Sequence, residues 1–145
     1  MRDFFEILEV SASALGAQRW RLSVISSNLA NAETTRTPQG GPYRRRDVLF
    51  SSSPPSFREV MGSLGETPIR GVRVLGVVLD PRPLRVEYRP SHPDADASGY
   101  VTLPNVQPLE EMVNLIAAAR SYEANIEMIN ATKAMLLKAL EIGRI

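Results

Sequence analysis

The stretch HPDADASGY, residues 92 to 100, gathers the side chains best suited to chemistry: His92, Asp94, Asp96 and Ser98, followed by Gly99. Oxygen ligands at alternate positions with a glycine making the sharp turn are how a helix-loop-helix calcium site opens. The pattern then fails, because Asn105 stands where the closing bidentate glutamate should be and the flanks read as strand and loop. His92 with the two aspartates also supplies an acid and a base, yet no nucleophile motif or glycine-rich phosphate loop accompanies them. Aspartate, serine and glycine clustered ahead of a short β run make a turn. No catalytic group, metal or cofactor is expected.

The run Arg44, Arg45 and Arg46 after Tyr43 has the form of a phosphate or nucleic-acid contact. No aromatic platform accompanies it, residues 51–108 carry six arginines against six carboxylates, and the whole chain has a formal charge of only +1. The reading is therefore an exposed loop, or a salt-bridging contact to a neighbouring subunit, with no nucleic-acid partner.

The elements that must carry these residues follow from where the prolines lie. All 11 fall between Pro38 and Pro108, and seven of the 9 glycines share that span. The chain thus reads as helix, irregular or β-rich middle, helix, divided at 1–35, 36–107 and 108–145. In the first helix Leu8, Leu15, Leu22 and Leu29 recur every seven residues, a heptad seam about 40 Å long. In the last, Pro108 opens the first turn with Glu110 and Glu111 beside it. Met112, Ile116, Ala119, Ile126, Ile129, Leu136 and Leu140 then trace a stripe toward Gly143. Asn28 and Asn31 near the end of the first helix, and Tyr122 and Asn125 in the last, interrupt the apolar rows, and an amide in such a seam sets register.

In the middle, residues 71–80 and 84–89 are expected to be strands joined by Pro81, Arg82 and Pro83 as a hairpin or arch, with 99–103 adding a third. Residues 51–68 read as a flexible loop. Zero cysteines exclude disulfides and thiolate sites, and one histidine excludes a histidine zinc cluster within one chain. Acidic residues at 3, 6 and 9 interrupt the N-terminal apolar run, so no cleaved signal peptide is expected, and no stretch is long enough for a membrane span.

Two long helices with narrow stripes cannot bury each other completely, and the chain has no third helix to complete a bundle. The remaining apolar edges need other chains.

SSNLANAETT at 26–35, the run from His92 through LEEMVNLIAAARSYEANIEMIN to Leu140, and the helix-β-helix plan resemble the bacterial flagellar basal-body rod proteins of the rod and hook family. The resemblance covers nearly the whole chain and implies an α+β fold. Its terminal helices would pair as an antiparallel coiled coil within a subunit and stack on neighbours as the inner tube of the rod, with a small β-rich lobe outside. It further implies a periplasmic rod subunit of the basal body that transmits torque and encloses an export channel. Its partners would be copies of itself, other rod proteins and the flagellar type III export apparatus, with no direct membrane insertion. On this reading Leu8, Leu15, Leu22, Leu29, Met112, Ile116, Ile126, Ile129, Leu136 and Leu140 carry packing. Asn28, Asn31, Tyr122 and Asn125 set register, with Asn28, Asn31, Thr34 and Thr35 bonding exposed backbone at the helix end or in an adjacent subunit; C-terminal capping by Asn31 in a left-handed conformation is the alternative. The rival reading from another class is a soluble coiled-coil adaptor.

Overall fold

The computed structural model describes residues 2–52 and 71–143, with side chains from Phe4 onward. Among these residues two long helices bracket four short strands. Helix α1 spans Arg2–Ala30 and helix α2 spans Pro108–Ile142. Strands β1 (Arg46–Ser52) and β2 (Val72–Leu79) form one antiparallel sheet, and β3 (Arg85–Tyr88) and β4 (Tyr100–Leu103) form another. The chain is therefore α+β, and among the described residues no helix is long and apolar enough to cross a membrane.

The strand pairing corrects the expected hairpin. Residues 72–79 and 85–88 are strands, but they pair with β1 and β4 respectively rather than with each other. Proline on both sides of Arg82 removes two backbone donors from the connection, while Asp80 turns it. Its carboxylate Oδ1 accepts the Arg82 backbone N–H at 2.9 Å, and its own N–H donates to the Arg45 carbonyl at 2.8 Å, closing the base of the β1–β2 ribbon. Strand β1 was not foreseen, because RDVLFSS is short and adjoins the proline-rich run. Ser51 and Ser52, read as loop, are its last residues; residues 53–68 of that expected loop lie outside the described residues. Opposite Leu49 and Phe50, the partners Gly76 and Val74 skip Leu75, so β2 carries a bulge there.

The ribbon is seated on α1 by a close approach. Ser13 Oγ donates to the Val10 carbonyl at 2.7 Å and accepts the Val72 N–H at 3.0 Å. A Cβ on Gly71 would stand 2.6 Å from that oxygen, so only glycine fits. The β3–β4 sheet alternates clearly: Val101 and Leu103 face inward, while Tyr88 and Tyr100 pair edge-to-face on the outside at 5.3 Å. Ala32, Tyr43 and Val106 form the small core where the lobe meets the end of α1.

The run 92–100 is the turn that its composition suggested. Asp96 Oδ1 accepts from the backbone N–H groups of Ser98 and Tyr100, both at 2.9 Å, and Gly99 takes φ +83° between the two strands. Asp94 is engaged elsewhere: Thr35 Oγ1 donates to it at 2.6 Å, and Arg36 pairs with it. The Thr35 hydroxyl, with the Arg36 charge, holds the Asp94 carboxyl below its usual range against its partial burial. These contacts fasten the segment after α1 to the β3–β4 turn.

Candidate functional site

Five segments of the chain meet at one buried polar junction. Asn28, on the last full turn of α1, has no exposed surface, and neither has Glu111 in the first turn of α2. An asparagine amide offers two N–H donors and an oxygen with two acceptor positions, and here all four are used. Asn28 Nδ2 donates to the Arg46 carbonyl at 2.8 Å and to Glu111 Oε2 at 3.0 Å. Asn28 Oδ1 accepts the Arg46 N–H at 3.0 Å and the Tyr43 hydroxyl at 2.9 Å. The side chain thereby pairs with both backbone groups of Arg46 as a residue of a neighbouring strand would, at the point where β1 begins.

Arg45 takes up the other oxygen of Glu111. Its Nε donates to Glu111 Oε1 at 2.8 Å, and its Nη1 reaches Asp47 at 3.1 Å and Asp80 at 3.3 Å. Burial works against the guanidinium charge, but the bonds and negative charge of Glu111 and Asp47 outweigh it, so Arg45 holds its proton more tightly than an ordinary arginine. Asn105 completes the surround: its Oδ1 accepts the Arg45 N–H at 2.8 Å, and its Nδ2 donates to the Arg82 carbonyl at 3.0 Å. Arg82 chelates Asp80 at 2.8 Å and reaches Glu110 at 3.2 Å. Its hydrogen bond lowers the Asp80 pKa against the opposing effect of burial, with Arg45 adding in the same direction.

Two earlier expectations are corrected by this geometry. Arg45 is neither an exposed loop residue nor free to contact a neighbouring subunit; it is a buried cation satisfied within its own chain. Arg44 Nη1 donates to the Asp80 carbonyl, and Arg46 lies over the Tyr43 ring at 5.5 Å. Asn28 does not bond the end of its own helix or an adjacent subunit, because its partners are the Arg46 backbone, Tyr43 and Glu111. Asn31 does act at the helix end, donating from Nδ2 to the Ser27 carbonyl at 2.9 Å and accepting from Thr34 at 3.2 Å. No non-glycine residue among those described has positive φ, so Asn31 is not a left-handed cap.

The chemistry available here is cohesion and recognition. Among the described residues no group of acidic or histidine side chains could hold a metal ion. Residues Tyr43, Asp80, Asn105 and Glu111 were missed as members of a site, whereas Arg45 was singled out within its arginine run, as an exposed or intersubunit residue. Only Glu111 carried a signal, and its place in the first helical turn has an ordinary explanation in the helix dipole.

Beyond the junction, the helices meet along a row of small or polar side chains. Ser11, Ala17, Val24, Ile25 and Asn28 are the buried positions of α1, and Glu111, Ala118 and Thr132 those of α2. Leu8, Leu15, Leu22 and Leu29 are half-buried on the shoulder of that face. On α2, Tyr122, Asn125, Ile129 and Leu136 are half-buried, with Asn125 Nδ2 bonded to the Ser121 carbonyl of its own helix at 2.7 Å. Met112, Ile116, Ile126 and Leu140 are exposed, Met112 to 51% and Ile116 to 54%. At about 100° per residue, Met112, Ile116, Ile126 and Leu137 share a face roughly a third of a turn from the buried row. Val113, Met128, Met135 and Ile142, all exposed, share a third face. Helix α2 thus leaves large apolar side chains exposed on two faces, among charged ones such as Glu123 and Glu141, and exposed apolar surface of this kind marks a contact site.

Comparison with known proteins locates these features. Residues 8–36 match the model of the family described as "Flagella basal body rod protein", and residues 97–142 match "Flagellar basal body rod FlgEFG protein C-terminal". The chain is 49% identical to the flagellar basal-body rod protein FlgC of Bacillus subtilis, over 97% of this chain and 98% of that protein. It is 44% identical to FlgC of Yersinia enterocolitica over 98% of this chain and 99% of the other. Similarity to FlgC of Salmonella typhimurium is also 44%, over 95% and 96% respectively.

Proposed function

Because this chain belongs to the FlgC family of flagellar basal-body rod proteins, we propose that its helices build the proximal rod and its β lobe decorates it. The chain is a structural subunit of the flagellar basal body, not an enzyme, and it assembles with other basal-body components. The observation that carries the mechanism is α2, which keeps large apolar side chains exposed on two faces after α1 has covered the third.

Segments 1–35 and 108–145 form the rod core as an antiparallel coiled coil, and 36–107 form the outer lobe. Support comes from the junction, where the end of α1 meets the start of α2 through Asn28 and Glu111. A face of one subunit that meets a different face of the next generates an open helical array when the rotation does not close. Long helices packed along such an array resist twist, and so transmit torque around a central export channel. Leu8, Leu15, Leu22, Leu29, Met112, Ile116, Ile126, Ile129, Leu136 and Leu140 supply packing in the core or between subunits. Asn31, Tyr122 and Asn125 set register. The partners are further copies, other rod proteins and the flagellar type III export apparatus, which passes the chain outward. The soluble-adaptor reading is not favoured, since the relatives at this level of identity are rod proteins.

Sedimentation velocity over a concentration series, with far-UV circular dichroism, tests this reading. The chain should gain helix as it associates. A stable, fully helical monomer at every concentration would overturn it.

A further inference from the structure

The polar junction does more than hold the lobe, because the two helices satisfy different halves of it. Asn28 from α1 supplies partners for both backbone groups of Arg46 and for the Tyr43 hydroxyl. Glu111 from α2 supplies the partner for Arg45 Nε and for the second N–H of Asn28. If α1 lifts away, the start of β1 loses a donor and an acceptor together. If α2 lifts away, a guanidinium whose side chain is 9% exposed loses its fully buried carboxylate, and Asn28 is left with an unpaired donor. A partly satisfied buried network costs more than none at all.

We propose that Asn28, Glu111 and Arg45 form a coincidence lock: β1 takes its place on the helices only when α1 and α2 are both docked. This rests on the reading of the helices as assembly elements and adds a regulatory consequence to it. A subunit with one helix undocked would not present its β1–β2 ribbon at the outer surface in the assembled orientation, so incorrectly seated copies lack the lobe surface that neighbours meet. The β3–β4 sheet lies outside the lock, since its own pairing, from Tyr88–Tyr100 to Arg85–Leu103, uses neither Asn28 nor Glu111.

Hydrogen exchange resolved by segment, on the full chain at a concentration where circular dichroism reports helix, tests the lock with Glu111→Gln, Asn28→Ala and their combination. Lys138→Ala serves as the control, because it removes an exposed ion pair with Glu141 at the far end of α2, outside the junction. The conservative Glu111→Gln retains one oxygen for a hydrogen bond and guards against simple failure to fold. Exchange should rise by about tenfold in Glu111→Gln and about a hundredfold in Asn28→Ala, in each case together in β1, the end of α1 and the first turns of α2, with β3–β4 unchanged. The double variant should be no worse than the poorer single one, the signature of a shared unit. Lys138→Ala should match the parent chain in β1 and at the junction ends of both helices.

Effects confined to the element that carries the substitution, or effects that add in the double variant, would overturn the lock. Rod incorporation is not the readout. A positive exchange result with no self-association therefore sinks the assembly reading alone, whereas local exchange in a chain that assembles sinks only the lock.

Discussion

The carboxamide of Asn28 brackets Arg46, donating to its carbonyl at 2.8 Å and accepting from its N–H at 3.0 Å, 18 residues away along the chain. One side chain of a helix thereby does the work of one residue of a strand. Replacing Asn28 with alanine strands those two backbone groups and the Tyr43 hydroxyl in a buried site. Each such orphan costs about 1–3 kcal/mol, so a loss of about 3 kcal/mol or more in urea denaturation is expected. A change below about 0.5 kcal/mol would mean that water replaces the amide.

Glu111 presents a sharper contrast between variants. Glu111→Ala removes the buried partner of Arg45 and should cost about 3–5 kcal/mol. Glu111→Leu with Arg45→Met, which removes both charges, should recover a large part of that loss. Equal penalties in the two variants, read against the parent by thermal unfolding, would show that packing rather than the ion pair sets the cost.

Asp80 predicts the acid limb of stability. Its pKa in the folded chain is lowered, chiefly by the hydrogen bond from Arg82, whereas in the unfolded chain it is about 3.9. The carboxylate therefore contributes stability that is fully present above about pH 5 and lost as pH falls through 4 toward the folded value. The gap in unfolding free energy between the parent and Asp80→Asn should be largest near pH 7 and narrow toward pH 3. A gap constant across that range would remove Asp80 from the acid response.

At Gly71 the constraint is steric. A Cβ there would meet Ser13 Oγ at 2.6 Å, so Gly71→Ala should destabilise by about 1–3 kcal/mol through overpacking. In a Ser13→Ala background the same change should cost clearly less. Additive penalties in a double-mutant cycle would place the effect in the backbone of β2 instead.

The exposed face of α2 separates assembly from folding. Ile116 is 54% exposed, so at a concentration where the parent is monomeric Ile116→Asp should leave the far-UV spectrum unchanged and the unfolding free energy within about 0.5 kcal/mol of the parent. Self-association in sedimentation, and rod incorporation in a motility assay, should be lost. Normal motility from this variant would place the assembly contact on another face.

Local rules were enough for the elements that depend on neighbours in sequence. The confinement of proline to the middle, Pro108 in the first turn of α2 and the glycine after Asp96 each act through backbone conformation within a few residues. The two helices and the 92–100 turn were therefore legible, as was the surplus of apolar helix surface that points to assembly. Strand pairing was not legible. Strand β2 lies beside β1 and not beside β3, and that choice is set by contacts such as Ser13 with Val72 that span 59 residues.

The same division holds for the functional residues. Sequence by itself determined which residues are charged, apolar or amide-bearing and how they repeat along a helix. That placed the leucines of α1 in a row, but the row is half-buried, and Ala17, Val24 and Asn28 occupy the buried face. Only the tertiary structure decided that the middle arginine of three would be buried, and that the second of two adjacent glutamates would meet it. A buried charge is tolerable only where a distant partner arrives in the right geometry, and the arrival of Glu111 beside Arg45, 66 residues apart, is a property of the fold.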